Sequence, residues 1–398
     1  MNLTDRINNK KLQEIAGKVC GDIPVSMEDA LYMLSTNDIL DLGIIADYLR
    51  KKWHGDITYY GVNMNLNYTN ICELRCPLCA FSCDMHDENA FLLSHGEIEE
   101  RMNRAVGEGI DEVHIVGGLH PELKLGYFEK MLRIIKRVKP DIHIVAFTAV
   151  EYEYFAKVNN LSLEEVFKRL IDAGVDAVPG GGAEIFSPEI REKIAPKKIS
   201  GEKWLDVMLT AHKAGLKTNA TILYNHLETA GDIADHLLKI RALQDETGGF
   251  KTLVPLQFHE GNTQVKSKGL STGYDDIRIY STSRIVLQNV PHIKALWMYI
   301  GDKMAQTLQN FGVDDAIGGV PAQTGDDEDV TMFGHGDRIG EILIRHVLLN
   351  RVAIRDDCAA SGQSVGNAAP DAAQTQNTGL ALHNAVGQKF FFDIRPAV

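Results

Sequence analysis

Apolar positions along this chain alternate between two periods, one suited to strands and one to helices. Ile57–Thr69 is β-rich. Glu112–Val116, Ile142–Thr148, Ala177–Val178, Thr218–Leu223, Thr252–Phe258 and Ile293–Ile300 read as further short strands. Between them lie amphipathic stretches. Tyr127–Val138 sets Phe128, Met131, Leu132, Ile135 and Val138 on one face at helical spacing. Ser162 followed by Glu165 forms a capping box, in which hydroxyl and carboxylate satisfy unpaired amides at a helix start, and Gly174 closes that helix. Ser200–Gly215 repeats the style. Lys303–Asn310 is a last helix before an eighth strand, Asp314–Val320.

Regular β–α alternation implies a parallel sheet covered by helices, and eight units favour a closed (β/α)8 TIM-type barrel over an open sheet. Function then gathers at the C-terminal ends of the strands. Residues 1–50 read as an N-terminal helical extension and 51–320 as the barrel. Residues 321–398 read as an atypical tail, partly disordered, because Ala359–Gly379 is rich in Ala, Gln, Asn, Ser and Gly and lacks the apolar content to fold.

Composition narrows the class. The chain has 398 residues, 44% hydrophobic and 24% charged, enough to bury a large core. A net charge of −13 argues against nucleic-acid or anionic-membrane partners. No run approaches the ~20 apolar residues of a membrane span, and the start carries no signal-peptide pattern, so a cytoplasmic protein is expected.

The six cysteines stand at 20, 72, 76, 79, 83 and 358. Four fall within twelve residues, a clustering that points to metal rather than to a disulfide framework. Cys72, Cys76 and Cys79 follow the spacing C-x3-C-x2-C just after the first strand. Three such thiolates can hold three corners of an iron–sulfur cubane and leave the fourth iron open for a ligand. A structural zinc site is the competitor, with Cys83 or His86 as fourth ligand. Cys20 and Cys358 read as ordinary thiols.

The cysteine loop resembles the signature of the radical S-adenosylmethionine (SAM) superfamily. That resemblance implies a [4Fe-4S] cluster on Cys72, Cys76 and Cys79, with S-adenosylmethionine on its open iron as cosubstrate. The aromatic residue usual before the third cysteine is replaced by Leu78, leaving Phe81 as a candidate for the adenine contact. Gly117–Gly118 resembles the superfamily's glycine pair that approaches the methionine amino group. Over residues 55–315 the chain resembles the aminofutalosine synthase family. The segments that carry this are Glu112–Pro121, Ala146–Glu151, Pro179–Ile185, Thr218–Thr221, Leu243–Phe250 and Pro255–His259. The resemblance implies addition of the 5′-deoxyadenosyl radical to 3-[(1-carboxyvinyl)oxy]benzoate. Aryl migration and loss of carbon dioxide then give 6-amino-6-deoxyfutalosine, on the futalosine route to menaquinone. A flavodoxin or ferredoxin is the expected electron donor.

A dicarboxylate substrate calls for cationic or hydrogen-bonding partners, and Asn219, His259 and Arg284 are the candidates, with Arg75 beside the cluster. Glu151 and Glu184 are expected at strand ends, where a carboxylate can accept from ribose hydroxyls. Gly180, Gly181 and Gly182 would let the backbone approach the ligand, or else form a barrel corner. Two alternatives stay open: a dehypoxanthine futalosine cyclase-like enzyme, and a non-catalytic metal-bound barrel. From about Gly318 the resemblance ends, through either a lineage-specific tail or a reading-frame error.

Overall fold

In a computed structural model, described for residues 2–269, 271–320, 381–383 and 389–391, the alternation resolves into a closed barrel of eight parallel strands. They are β1 (Tyr59–Leu66), β2 (Glu112–Ile115), β3 (His143–Ala146), β4 (Ala177–Val178), β5 (Lys217–Tyr224), β6 (Phe250–Gln257), β7 (His292–Ala295) and β8 (Asp315–Val320). β8 returns to β1 in a parallel register running from Tyr59↔Asp315 to Met64↔Val320, which closes the ring.

Three helices precede the barrel: α1 (Lys10–Cys20), α2 (Met27–Ser35) and α3 (Ile39–His54), so the helical extension runs four residues past the expected limit. The outer layer follows as α4 (His95–Gly107), α5 (Leu125–Val138), α6 (Ala149–Asn159), α7 (Leu163–Ala173), α8 (Pro188–Ile194), α9 (Gly201–Lys213), α10 (Ala230–Thr247), α11 (Gly273–Val286), α12 (Trp297–Ile300) and α13 (Asp302–Leu308). The Ser162–Glu165 capping box is present, and Gly174 takes φ 121° beyond it. Capping boxes also start α4, α6 and α10, so many helix boundaries are written in local side-chain chemistry. Among the described residues no helix is long and apolar enough to cross a membrane.

One expected strand is corrected. Ile293–Ile300 stops as a strand at Ala295 and turns into α12. β7 finds ladder partners only through Leu253 and Ala316, and beyond them the apolar residues have no neighbouring strand to pair with. The expected tail, 321–398, lies outside the described residues apart from an antiparallel pair, Ala381–His383 with Lys389–Phe391.

The N-terminal end of the barrel is locked by charge. Arg284 of α11 is fully buried, donating to the carbonyls of Gly312 (2.9 Å), Val290 (3.2 Å) and Pro291 (3.0 Å) and pairing with Asp314. The other oxygen of Asp314 faces His292 Nδ1 at 2.5 Å and His54 Nε2 at 3.3 Å. His54 thereby ties α3 to the feet of β7 and β8.

Candidate active site

β1 ends at Leu66, and the chain crosses the C-terminal rim as the cysteine loop. Backbone hydrogen bonds pin this loop at several points. The amides of Cys72 and Cys83 donate to Cys83 (3.2 Å) and Asn70 (3.0 Å), Glu73 donates to Leu119 (3.1 Å), and Leu78 donates to Ile194 at the end of α8 (3.1 Å). Gln264, after β6, donates to Pro77 (2.8 Å). Three sectors of the barrel therefore fix where the thiols stand.

Cys76 is buried, while Cys72 and Cys79 are half-buried. Burial pushes the Cys76 thiol up and the two neighbouring cysteines add to it, whereas Lys198 works the other way. Among the described residues, the trio with its ligand atoms within 4.8 Å of one another is His54, His292 and Asp314, at the opposite end of the barrel. Three thiols on one rim loop fit a cubane cluster as donor set.

Glu151 does not stand free at a strand end. It lies in the first turn of α6, 1% exposed, and its two oxygens are taken by protein. Oε1 accepts from the Tyr68 hydroxyl (2.8 Å) and the Gly117 amide (3.2 Å); Oε2 accepts from the Thr148 amide (2.7 Å) and hydroxyl (2.8 Å). Burial lifts its pKa to about 7 even against those four hydrogen bonds. The expected ribose contact is thus corrected: Glu151 positions Tyr68 and the Gly117 backbone.

The glycines are also hemmed in by protein. A Cβ on Gly117 would meet the Tyr68 ring at 2.6 Å, and one on Gly118 would fall inside the Ile71 carbonyl. A Cβ on Gly180 would meet the β5 backbone at Ala220 (2.6 Å), one on Gly181 the Thr148 methyl (2.7 Å), and one on Gly182 Val150. Gly182 also needs its φ of 85°. At each of these positions a side chain would collide with neighbouring protein.

Glu184, after β4, is buried with φ 48°, and its Oε1 lies 2.5 Å from Lys198 Nζ. Burial alone would raise its carboxyl, but Lys198, Arg191 and His226 outweigh that and hold it below the usual range. Lys198, which the sequence reading missed, sits where the charges of Glu184, Cys76 and Cys79 all act on it. Its only sequence signal was a cation in the loop after α8.

Phe81 is 43% exposed on the cysteine loop, edge-on to Phe91. Arg75 remains inside that loop, donating to the Ser82 carbonyl and facing Asp84. His259 follows β6 on the rim, with Nε2 3.0 Å from the Tyr299 carbonyl of α12. Asn219 is the third residue of β5, lower in the barrel. Arg284 is the clear miss. It lies at the N-terminal end, fully committed to Asp314 and three carbonyls, and cannot meet a ligand at the rim.

Residues 66–240 match the Radical SAM superfamily and residues 247–321 the CofH/MqnC C-terminal region. The chain is 38% identical over 316 residues to the aminodeoxyfutalosine synthase of Thermus thermophilus, covering 78% of this chain and 85% of that one. It belongs to the radical SAM superfamily, in the aminodeoxyfutalosine synthase family. The synthase of Streptomyces coelicolor is 34% identical, over 77% of this chain and 82% of its own. The 5-amino-6-(D-ribitylamino)uracil–L-tyrosine 4-hydroxyphenyl transferase of Methanothermobacter thermautotrophicus is 36% identical, over 75% and 83%. Among solved structures, methylornithine synthase superposes with a TM-score of 0.67 at 16% identity, covering 86% of this chain and 97% of that one. That likeness bears on the fold of this radical SAM enzyme alone.

Proposed function

We propose that this enzyme joins the 5′-deoxyadenosyl group of S-adenosylmethionine to 3-[(1-carboxyvinyl)oxy]benzoate, with loss of carbon dioxide, giving 6-amino-6-deoxyfutalosine. The observation that carries this reading is the 38% identity extending over 85% of the Thermus synthase. When bound, a [4Fe-4S] cluster on Cys72, Cys76 and Cys79 supplies the single electron that splits the sulfonium.

The chain's own residues account for the rest of the site. Lys198 stands beside Cys76 with Glu184 against it, so a cation and a carboxylate meet the two charged ends of the methionine moiety. Glu151 fixes Tyr68 and Gly117, and through them the loop from which Cys72 projects. Phe81 offers an exposed ring for the adenine. His259 on the rim and Asn219 within the barrel offer polar groups to the substrate. A reduced flavodoxin or ferredoxin of the cytoplasm supplies the electron.

Anaerobic turnover of reconstituted protein with dithionite, S-adenosylmethionine and the vinyl ether tests the proposal by mass spectrometry. The adduct should appear and be lost in Cys76→Ala. Formation of 5′-deoxyadenosine without adduct would reject this substrate. The likeness to the archaeal hydroxyphenyl transferases supports one other reading, which the same assay addresses with tyrosine and 5-amino-6-(D-ribitylamino)uracil as substrates.

A further inference from the structure

The interior of this barrel is polar where such barrels are normally filled by branched apolar side chains. Strand alternation sends Val113, Ile115, Ile144, Ala146, Ala220, Ile222, Ile293 and Ala295 into the core beneath the helices. The opposite faces of those strands carry Glu112, His114, His143, Asn219 and Lys294, and these point into the lumen. Parallel register sets Asn65 beside His114 and Lys294 beside Asp315.

These groups border open space. Asn65 is exposed, and His114, Asn219 and Lys294 are half-buried, although all lie within the strands of a closed ring. A Cβ built on Gly61, on the lumen face of β1, would meet nothing within 4 Å. Nor are the polar heads used by the protein. Among the described residues, Asn65, His114 and Asn219 have no side-chain hydrogen-bond or ion-pair partner. Lys294 pairs with Asp315 at 3.2 Å, and the charges of Glu112 and Asp314 also act on it. Asp315 Oδ1 is buried without a donor. Buried polar groups are ordinarily satisfied, so a cluster of uncommitted ones around a cavity marks a place for a polar ligand.

We infer that Lys294, held by Asp315, is the specificity-determining cation that receives the ring carboxylate of an aryl carboxylate substrate, with His114 and Asn219 beside it. The inference rests on the proposed reaction. There the vinyl carbon must face the cysteine loop, so the ring and its carboxylate point down the lumen. His114 and Lys294 lie two to three residues below the rim turns at Gly117 and Leu296, about 7–10 Å at ~3.3 Å per residue. That depth suits a single aromatic ring. An ammonium has three donors, and Asp315 occupies one, which leaves two for the ligand. Of the other cations, Lys251 of β6 feels the same Glu112 and Asp315 as well as Lys294 itself. Arg284 is locked at the base, and Arg191 donates to the carbonyls of Gly182, Ala183 and Ile185.

The test is binding to reconstituted holoenzyme with S-adenosylmethionine and no reductant, by calorimetry. Two unreactive probes are compared: 3-(1-carboxyethoxy)benzoate and 2-phenoxypropanoate, which lacks the ring carboxylate. Wild type should prefer the first by about tenfold or more, and Lys294→Met should bind both alike. Because that change strands the Asp315 carboxylate, Lys294→Met/Asp315→Asn is measured alongside and should also show no preference. A preference retained in either variant, or absent from wild type, overturns the assignment. A wild type that prefers the ring carboxylate yet forms no adduct with the vinyl ether would instead reject the proposed reaction and leave Lys294 in place.

Discussion

At the scale of single residues, Glu151 carries the most consequence. Four donors converge on one buried carboxylate, which serves as helix cap, as anchor for Tyr68 and as acceptor for the Gly117 amide. Glu151→Gln keeps the shape but turns an NH2 toward donors, so unfolding in urea should show a loss of about 1–3 kcal/mol near pH 7. The pH dependence has a definite sign. Burial raises the carboxyl from its usual 4.5 to about 7, so between those values the folded state holds a proton that the unfolded chain releases. Stability contributed by this group is therefore greatest at low pH and declines as pH rises from 4.5 to 7, by about 3 kcal/mol at most. The difference between wild type and Glu151→Gln, followed across that window, should narrow by a comparable amount. A pH-independent difference would mean that Glu151 titrates normally.

At the scale of elements, strands and caps were legible because their signals are local. Ser162 with Glu165 announced α7, and the apolar runs announced every strand but β7 within three residues of its ends. Two things escaped. The apolar run at Ile293–Ile300 could not reveal that ladder partners end at Ala295, since pairing is a non-local property. The polar lumen was present in the alternation of Glu112-Val-His-Ile and His292-Ile-Lys-Ala, but which face points inward is decided only when the ring closes. The glycine pair shows the same gap. Its spacing suggested ligand approach, but could not show that Tyr68, Ile71 and Cys72 pack against the Cα faces of both glycines. Gly118→Ala should consequently push the cysteine loop outward, because the carbonyl it meets is backbone and cannot rotate away. Iron bound per chain after reconstitution should fall by at least half, while Gly126→Ala, at a position with open space, should retain the wild-type iron. Full iron in Gly118→Ala would show that the loop can yield.

At the scale of the whole molecule, the two ends of the barrel divide the labour. The C-terminal rim holds the thiols, Lys198 and Glu184. The N-terminal end holds Arg284, Asp314, His292 and His54, and is where the leading helices join the ring. Burial pushes His54 below its usual value by denying the charged ring its water; Asp314 and the Pro291 carbonyl partly oppose this, and His292 and Arg284 add a little to it. The sign follows. A histidine kept neutral in the fold and free to charge when unfolded contributes stability that is present above about pH 6.5 and is lost as pH falls below it. Lowering the pH should thus loosen the attachment of α3 before the barrel opens. Hydrogen exchange at pH 7.5 and pH 5.5, corrected for the intrinsic pH dependence of amide exchange, should show lower protection in Ile39–His54 at the lower value, with the protection of β5 and β6 unchanged. Arg284→Met should cost about 3–5 kcal/mol by stranding a buried carboxylate, and Arg284→Met/Asp314→Asn should recover a good part of it, because the loss lies in the unpaired charge rather than in the missing pair. Since neither residue approaches the rim, whatever protein folds in the double variant should load iron and cleave S-adenosylmethionine as wild type does. Loss of that cleavage from a folded double variant would mean that the base of the barrel reaches the chemistry after all.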